Sequence, residues 1–248
     1  MSPLANRYRV VVILCGVLFL AAAKPNHTAQ LLAVPEWSGA LKVDGNLDEL
    51  CYRSALPLTN FVVAGQPGKQ PPRTRAWLFW NVERLLFAFE CEDDKIIAAP
   101  PSKDERDVDG QDRVEIFFWS GRTADSYACF EIGARGAVHD YQARFYRKFD
   151  SAWKPEGWTY ATSLTAKGYR VEGEISRRAM KQLGFDLKPG ARIRAGLFRA
   201  DFSSIRADEE PLWITWVDAA GPKPDFHVAE SFREIVLQNS AGDARVPN

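Results

Sequence analysis

Glu115 has the setting in this sequence that most invites a chemical role. It sits in Gln111-Asp112-Arg113-Val114-Glu115-Ile116-Phe117-Phe118, where Val114, Ile116 and Phe118 alternate with Arg113 and Glu115. That is the period-two pattern of a strand. A carboxylate held mid-strand among apolar neighbours either meets a buried partner or lines a polar groove. Arg113 is placed to orient it through a charge-assisted hydrogen bond. Glu131, on a following strand, brings a second carboxylate near. Two such acids can be a structural cross-strand feature, acceptors for a hydroxyl-bearing ligand, or the acid pair of a glycoside hydrolase. Nothing else points to hydrolysis. There is no G-x-S-x-G and no H-E-x-x-H, and His27, His139 and His227 are scattered. The expectation is a protein that is not an enzyme and requires no cofactor.

Metal and haem chemistry rest on weaker patterns. Met180 is the only methionine after Met1, so haem ligation would need it to converge with His139 and His227. Asp107, Asp109 and Asp112, with Asp93, Asp94 and Asp104 nearby in sequence, offer hard oxygens for calcium. They lack the spacing of an EF-hand, and a solvated acidic loop reads equally well. Cys51, Cys91 and Cys129 each lie among apolar residues. They fit either one disulfide and a free thiol or three buried thiols; their spacing does not fit zinc.

The elements that must position these residues are mostly short strands. Leu41–Val43 is a brief strand ending in the turn signal Asp44-Gly45, and Leu47–Ala55 has helical spacing with acids near its start. Phe61–Val63 is a strand fragment. Arg73–Trp80 and Leu85–Cys91 form a hairpin, followed by a charged loop and then by strands at Arg113–Trp119, Tyr127–Ile132 and Ala137–Phe145. Trp158–Ala166 and Tyr169–Ile175 make another hairpin around Lys167-Gly168. Arg177–Leu183 is a short helix, and strands at Ala191–Asp201, Leu212–Val217 and Arg233–Leu237 complete the chain. This is an all-β pattern: an antiparallel β-sandwich with two short helices.

Residues 1–23 have the make-up of a signal peptide, with Arg7 and Arg9 before the apolar run Val10–Leu20 and small residues at Ala21–Ala23. The run is short for a transmembrane helix, and Cys15, behind bulky Leu14, is a poor lipid acceptor. Cleavage would leave an exported chain with no transmembrane segment, placed in the periplasm, at the cell surface or outside the cell. Residues 24–35 then read as a leader, 36–238 as one domain and 239–248 as a flexible tail. Losing Arg7 and Arg9 leaves 30 basic groups against 32 acidic ones. With no basic stripe, nucleic acid is not an expected partner.

Three landmarks occur in order: Val43-Asp44-Gly45-Asn46-Leu47-Asp48-Glu49, the strand Gln111–Phe118, and Trp213-Ile214-Thr215-Trp216 before Phe232–Leu237. With Tyr127–Glu131 and Gly168-Tyr169-Arg170-Val171-Glu172, this set resembles the family 9 carbohydrate-binding modules, in their broad sense that includes related redox sandwiches. The resemblance implies an antiparallel sandwich, secretion, and non-catalytic binding of a polysaccharide or glycan. In sugar-binding members an aromatic before the D-x-V-E-I-F strand and a tryptophan near the C-terminus clamp a sugar ring. Here the first position looks like Asp109, which cannot stack, and an arginine of those members looks like Glu131. Trp216 and Glu115 remain. Sugar recognition needs a flat apolar surface and fixed polar groups. Trp216 is therefore expected as the platform and Glu115, Glu131 and Arg113 as polar partners. Trp153, in the looser segment Lys148–Gly157, is expected to supply the missing aromatic. The competing expectation is an extracytoplasmic interaction module that kept the scaffold and lost sugar binding.

Overall fold

The structure is a computed structural model and describes residues 31–122, 124–203, 210–219 and 224–239. The expected signal peptide, most of the leader and nearly all of the expected tail lie outside these residues. Strands and helices are numbered in chain order. The larger sheet holds β1 (Leu32–Pro35), β2 (Val62–Val63), β5 (Arg113–Trp119), β6 (Tyr127–Gly133), β7 (Val138–Arg144), β8 (Lys148–Asp150), β11 (Arg192–Asp201), β12 (Leu212–Thr215) and β13 (Arg233–Gln238). Its main order is β1-β13-β11-β5-β6-β7-β8, with β12 also paired to β11 and β2 paired to β12. The smaller sheet runs β3 (Thr74–Trp80), β4 (Arg84–Glu92), β10 (Gly168–Ser176), β9 (Trp158–Thr165). Among the described residues, all pairings between these strands are antiparallel except β1 with β13. Helices α1 (Leu50–Ser54) and α2 (Arg177–Gln182) are short.

The expected sandwich is present, with local differences. The helix expected over Leu47–Ala55 spans Leu50–Ser54, and Lys148–Asp150, read as part of a loose segment, is a strand. Leu41–Val43 is not a strand; Leu41 instead packs on a small apolar cluster formed by Cys51, Tyr52, Trp77, Phe79, Leu86 and Ala88. Conversely, Leu32–Pro35, assigned to a leader by its sequence, pairs along β13 from Leu32↔Ile235 to Pro35↔Gln238. Its Val34 side chain enters the core, which a solvated leader would not do.

Alternation explains how the layers close. Val114, Ile116 and Phe118 of β5 point inward and meet Leu85, Phe87 and Phe89 of β4 in the main core. Fully burying such side chains contributes roughly 2–3 kcal/mol each. Phe117, Trp119, Tyr127, Cys129 and Tyr141 belong to a second apolar cluster, on the outer face of the larger sheet, completed by Phe226 and Phe232. A strand buried on both faces loses the clean polar alternation of a half-exposed one, as β5 does over Ile116–Trp119 and β6 over Tyr127–Phe130.

The Val43-Asp44-Gly45 opening has a structural task. The amides of Asp44 and Gly45 donate to Glu172 Oε2 at 3.0 and 3.1 Å, and Tyr52 Oη donates to its other oxygen at 2.9 Å. Gly45 has φ +82°, and a Cβ there would lie 2.9 Å from the Thr162 carbonyl carbon, so both torsion and space require glycine.

Candidate functional site

Strand register builds the site. Glu115 is directly opposite Glu131, and Glu131 is opposite His139. The three side chains therefore make one row across β5, β6 and β7 on the outer face. Arg113 lies beside this row on the same face of β5. Its Nε is 2.9 Å from Glu115 Oε1 and 2.8 Å from Glu131 Oε2, and its Nη1 donates to the Asp109 carbonyl at 2.7 Å. Tyr141 Oη donates to Glu131 Oε1 at 2.6 Å. All three charged groups are buried.

Two carboxylates around one guanidinium leave an excess of negative charge in a dry setting. Burial first, and then Glu131 beside it, push Glu115 up to about 8. Burial acts to lower His139, but the hydrogen bond between its Nδ1 and Asp109 Oδ1 at 3.1 Å and the charge of Glu131 outweigh this and raise it. Burial also lowers His227 to about 4; its neutral ring shares a 2.9 Å hydrogen bond with Tyr127 Oη.

Above this charged floor is a cavity of about 460 Å³. Trp213 of β12 and Phe149 of β8 supply aromatic surface, with Phe149 50% exposed. The Arg113 guanidinium lies 5.7 Å from the Trp213 ring centroid, a cation–π distance. At the rim, Arg147 Nη2 donates to Asp225 Oδ1 at 2.8 Å. The cavity therefore combines ring surface with fixed donors and acceptors of both signs, the make-up suited to an uncharged, hydroxyl-rich molecule.

Glu115, Glu131 and Arg113 stand together as the sequence suggested, but the two expected tryptophans lie elsewhere. Trp216 is 6% exposed and belongs to the core between the sheets. It is therefore on the opposite side of the larger sheet from Glu115, with Arg233 5.1 Å from its ring centroid. The reason is parity: Leu212, Ile214 and Trp216 face inward, so Trp213 faces out. Trp153 packs edge-on to Phe130 of the same core at 6.4 Å. The segment containing it does reach the cavity, through Phe149 and Ser151.

The three candidate calcium ligands also disperse. Asp107 accepts from Ser102. Asp109 stands with Glu131 and His139, while Asp112 stands with Asp93 and Asp201. Arg199 contacts that second group, 3.2 Å from Asp93 and 2.7 Å from Asp201, so a cation already pairs with two of its three members. Asp112 is used as a cap, accepting from the amides of Ile97 and Phe202. Cys51, Cys91 and Cys129 are three buried free thiols.

As residues of this cavity, Trp213, Phe149, Arg147 and Asp225 were passed over by the sequence reading, which weighed His227 only for haem. For Trp213 a signal existed: it is out of phase with Ile214 and Trp216 by one residue. Phe149 gave none, because three-residue β8 has too few positions to show a period.

The fold is thus an antiparallel sandwich with an aromatic-lined polar cavity on one sheet face. The chain belongs to the carbohydrate family 9 binding domain-like family, whose pattern matches residues 43–240. Solved structures agree at the level of fold. A Bacteroides uniformis protein of inferred carbohydrate binding is 16% identical with a TM-score of 0.66, over 84% of this chain and 98% of that one. A family 9 carbohydrate-binding module from Caldicellulosiruptor kristjanssonii, in complex with cellotriose, is 17% identical with a TM-score of 0.57, over 88% and 99%. A structure from the same organism in complex with glucose gives 16% and 0.55, over 86% and 100%. No curated protein matches the sequence.

Proposed function

We propose that this chain is a non-catalytic carbohydrate-binding module that holds a sugar of a polysaccharide or glycan in the 460 Å³ cavity. The observation that carries this reading is the joint presence there of Trp213 and Phe149 over the Arg113–Glu115–Glu131 floor. The rings take the C–H faces of a pyranose. Asp109, His139, Arg147 and Asp225 take hydroxyl groups, while Glu115 and Glu131 hold Arg113 in place. Family membership and the cellotriose and glucose complexes of similar structures support the ligand class. An exported location accompanies this reading, supported by the Val10–Leu20 segment and its flanks.

Calorimetric titration of the intact protein with cellotriose, xylotriose and mannotriose tests it. Binding of at least one is expected. Trp213→Ala should weaken it at least tenfold, the effect of losing about 1.4 kcal/mol. Unchanged affinity in Trp213→Ala would place sugar binding outside this cavity.

A further inference from the structure

A second cavity, of about 600 Å³, opens at the edge of the sandwich. It lies between the Pro101–Glu105 loop, the Gly136–Val138 approach to β7 and the start of β9, the outermost strand of the smaller sheet. No residue lines both this cavity and the first. Arg106 and His139 face one; their chain neighbours Glu105 and Asp140 face the other.

Its wall carries a stacked aromatic pair. Trp158 and Tyr160, two apart on β9, share a face, with ring centroids 5.0 Å apart and planes 24° from parallel. Each polar tip is tied across the gap to the other sheet. Trp158 Nε1 donates to Asp140 Oδ2 at 3.2 Å, and Tyr160 Oη donates to the Gly136 carbonyl at 2.9 Å. Both rings remain half-buried rather than sealed. Beside them, Lys154 Nζ donates to Asp140 Oδ1 at 2.8 Å and is also paired with Glu105. Flat apolar surface thus meets carboxylates whose positions are already fixed by a cation.

We infer that this edge cavity is a second carbohydrate site, which takes a neutral sugar residue on the Trp158–Tyr160 pair with its hydroxyls on Asp140 and Glu105. The inference rests on the sugar-binding reading of the protein but not on the first cavity. Anionic sugars are disfavoured, because Asp104, Glu105 and Asp140 all line the cavity. Two sites on one rigid scaffold let one polymer engage twice, raising avidity without new contacts.

The test titrates the trisaccharides named above into the wild type, Trp213→Ala, Glu105→Arg and the double variant, following stoichiometry by calorimetry. Glu105→Arg changes an exposed residue of the second cavity's lining, removes a proposed hydroxyl acceptor and leaves the core rings in place. Two sites are expected in the wild type, one in each single variant and none in the double variant. Binding that survives in Trp213→Ala and disappears with Glu105→Arg would support the edge site even if the first cavity proved empty. A single site that is lost with Trp213→Ala and untouched by Glu105→Arg would overturn the edge site alone. No binding of any trisaccharide would overturn both. Folding of each variant is checked by its melting temperature, and the smaller change Glu105→Ala should weaken the edge site about threefold if Glu105→Arg misfolds.

Discussion

Trp213 and Trp216 show how much a single step along a strand decides. One indole lines an open cavity and the other fills the space between two sheets. Their replacement should therefore separate cleanly. Trp216→Ala is expected to lower unfolding free energy by roughly 3–5 kcal/mol, the cost of a large core deletion, readable in a urea titration. Trp153→Ala should likewise destabilise the fold and leave sugar affinity of the remaining folded protein unchanged. Glu115 predicts a pH effect. Its folded value is raised from 4.5 to about 8, so between those values the folded state holds a proton that the unfolded state has released. Stability then falls as pH rises across that window. From pH 7 to 8 the loss due to this group is on the order of 1 kcal/mol, and Glu115→Gln should flatten that part of the melting-temperature profile. An unchanged slope in the variant would show that Glu115 is ionised in the folded protein at neutral pH.

At the scale of elements, the opening Val43–Glu49 segment is a clasp. Glu172 of β10 accepts from two of its amides and from Tyr52, so it joins α1 and its approach to the smaller sheet. Glu172→Ala leaves three donors without that partner and should cost roughly 3 kcal/mol, with the melting temperature as readout. Gly45→Ala should act in the same direction through its positive φ. Strand β1 supports a separate prediction. A chain starting at residue 36 lacks β1 and exposes the β13 edge; it should melt earlier and show concentration-dependent association by light scattering.

Across the whole molecule, the sequence made the sandwich legible because long strands such as β5, β10 and β11 carry several periods of alternation. It misread Leu32–Pro35 and missed β8, where four and three residues carry too little pattern. The charged floor was legible because Arg113 and Glu115 interrupt an apolar strand. The aromatic walls were not, since their placement depends on how β8 and β12 dock onto distant strands. The choice left open for the cysteines resolves toward three buried thiols. Millimolar reductant is thus expected to leave the melting temperature unchanged; a drop would reveal a disulfide.

The pairing of β1 with β13 places the first and last strands of the described residues side by side and parallel. Tension applied at Leu32 and Gln238 would pull these neighbours along their common axis in opposite directions, loading every rung between them at once instead of peeling them one by one. Stretched between two tethers, the module would yield in shear, the geometry in which a short ladder withstands the greatest force.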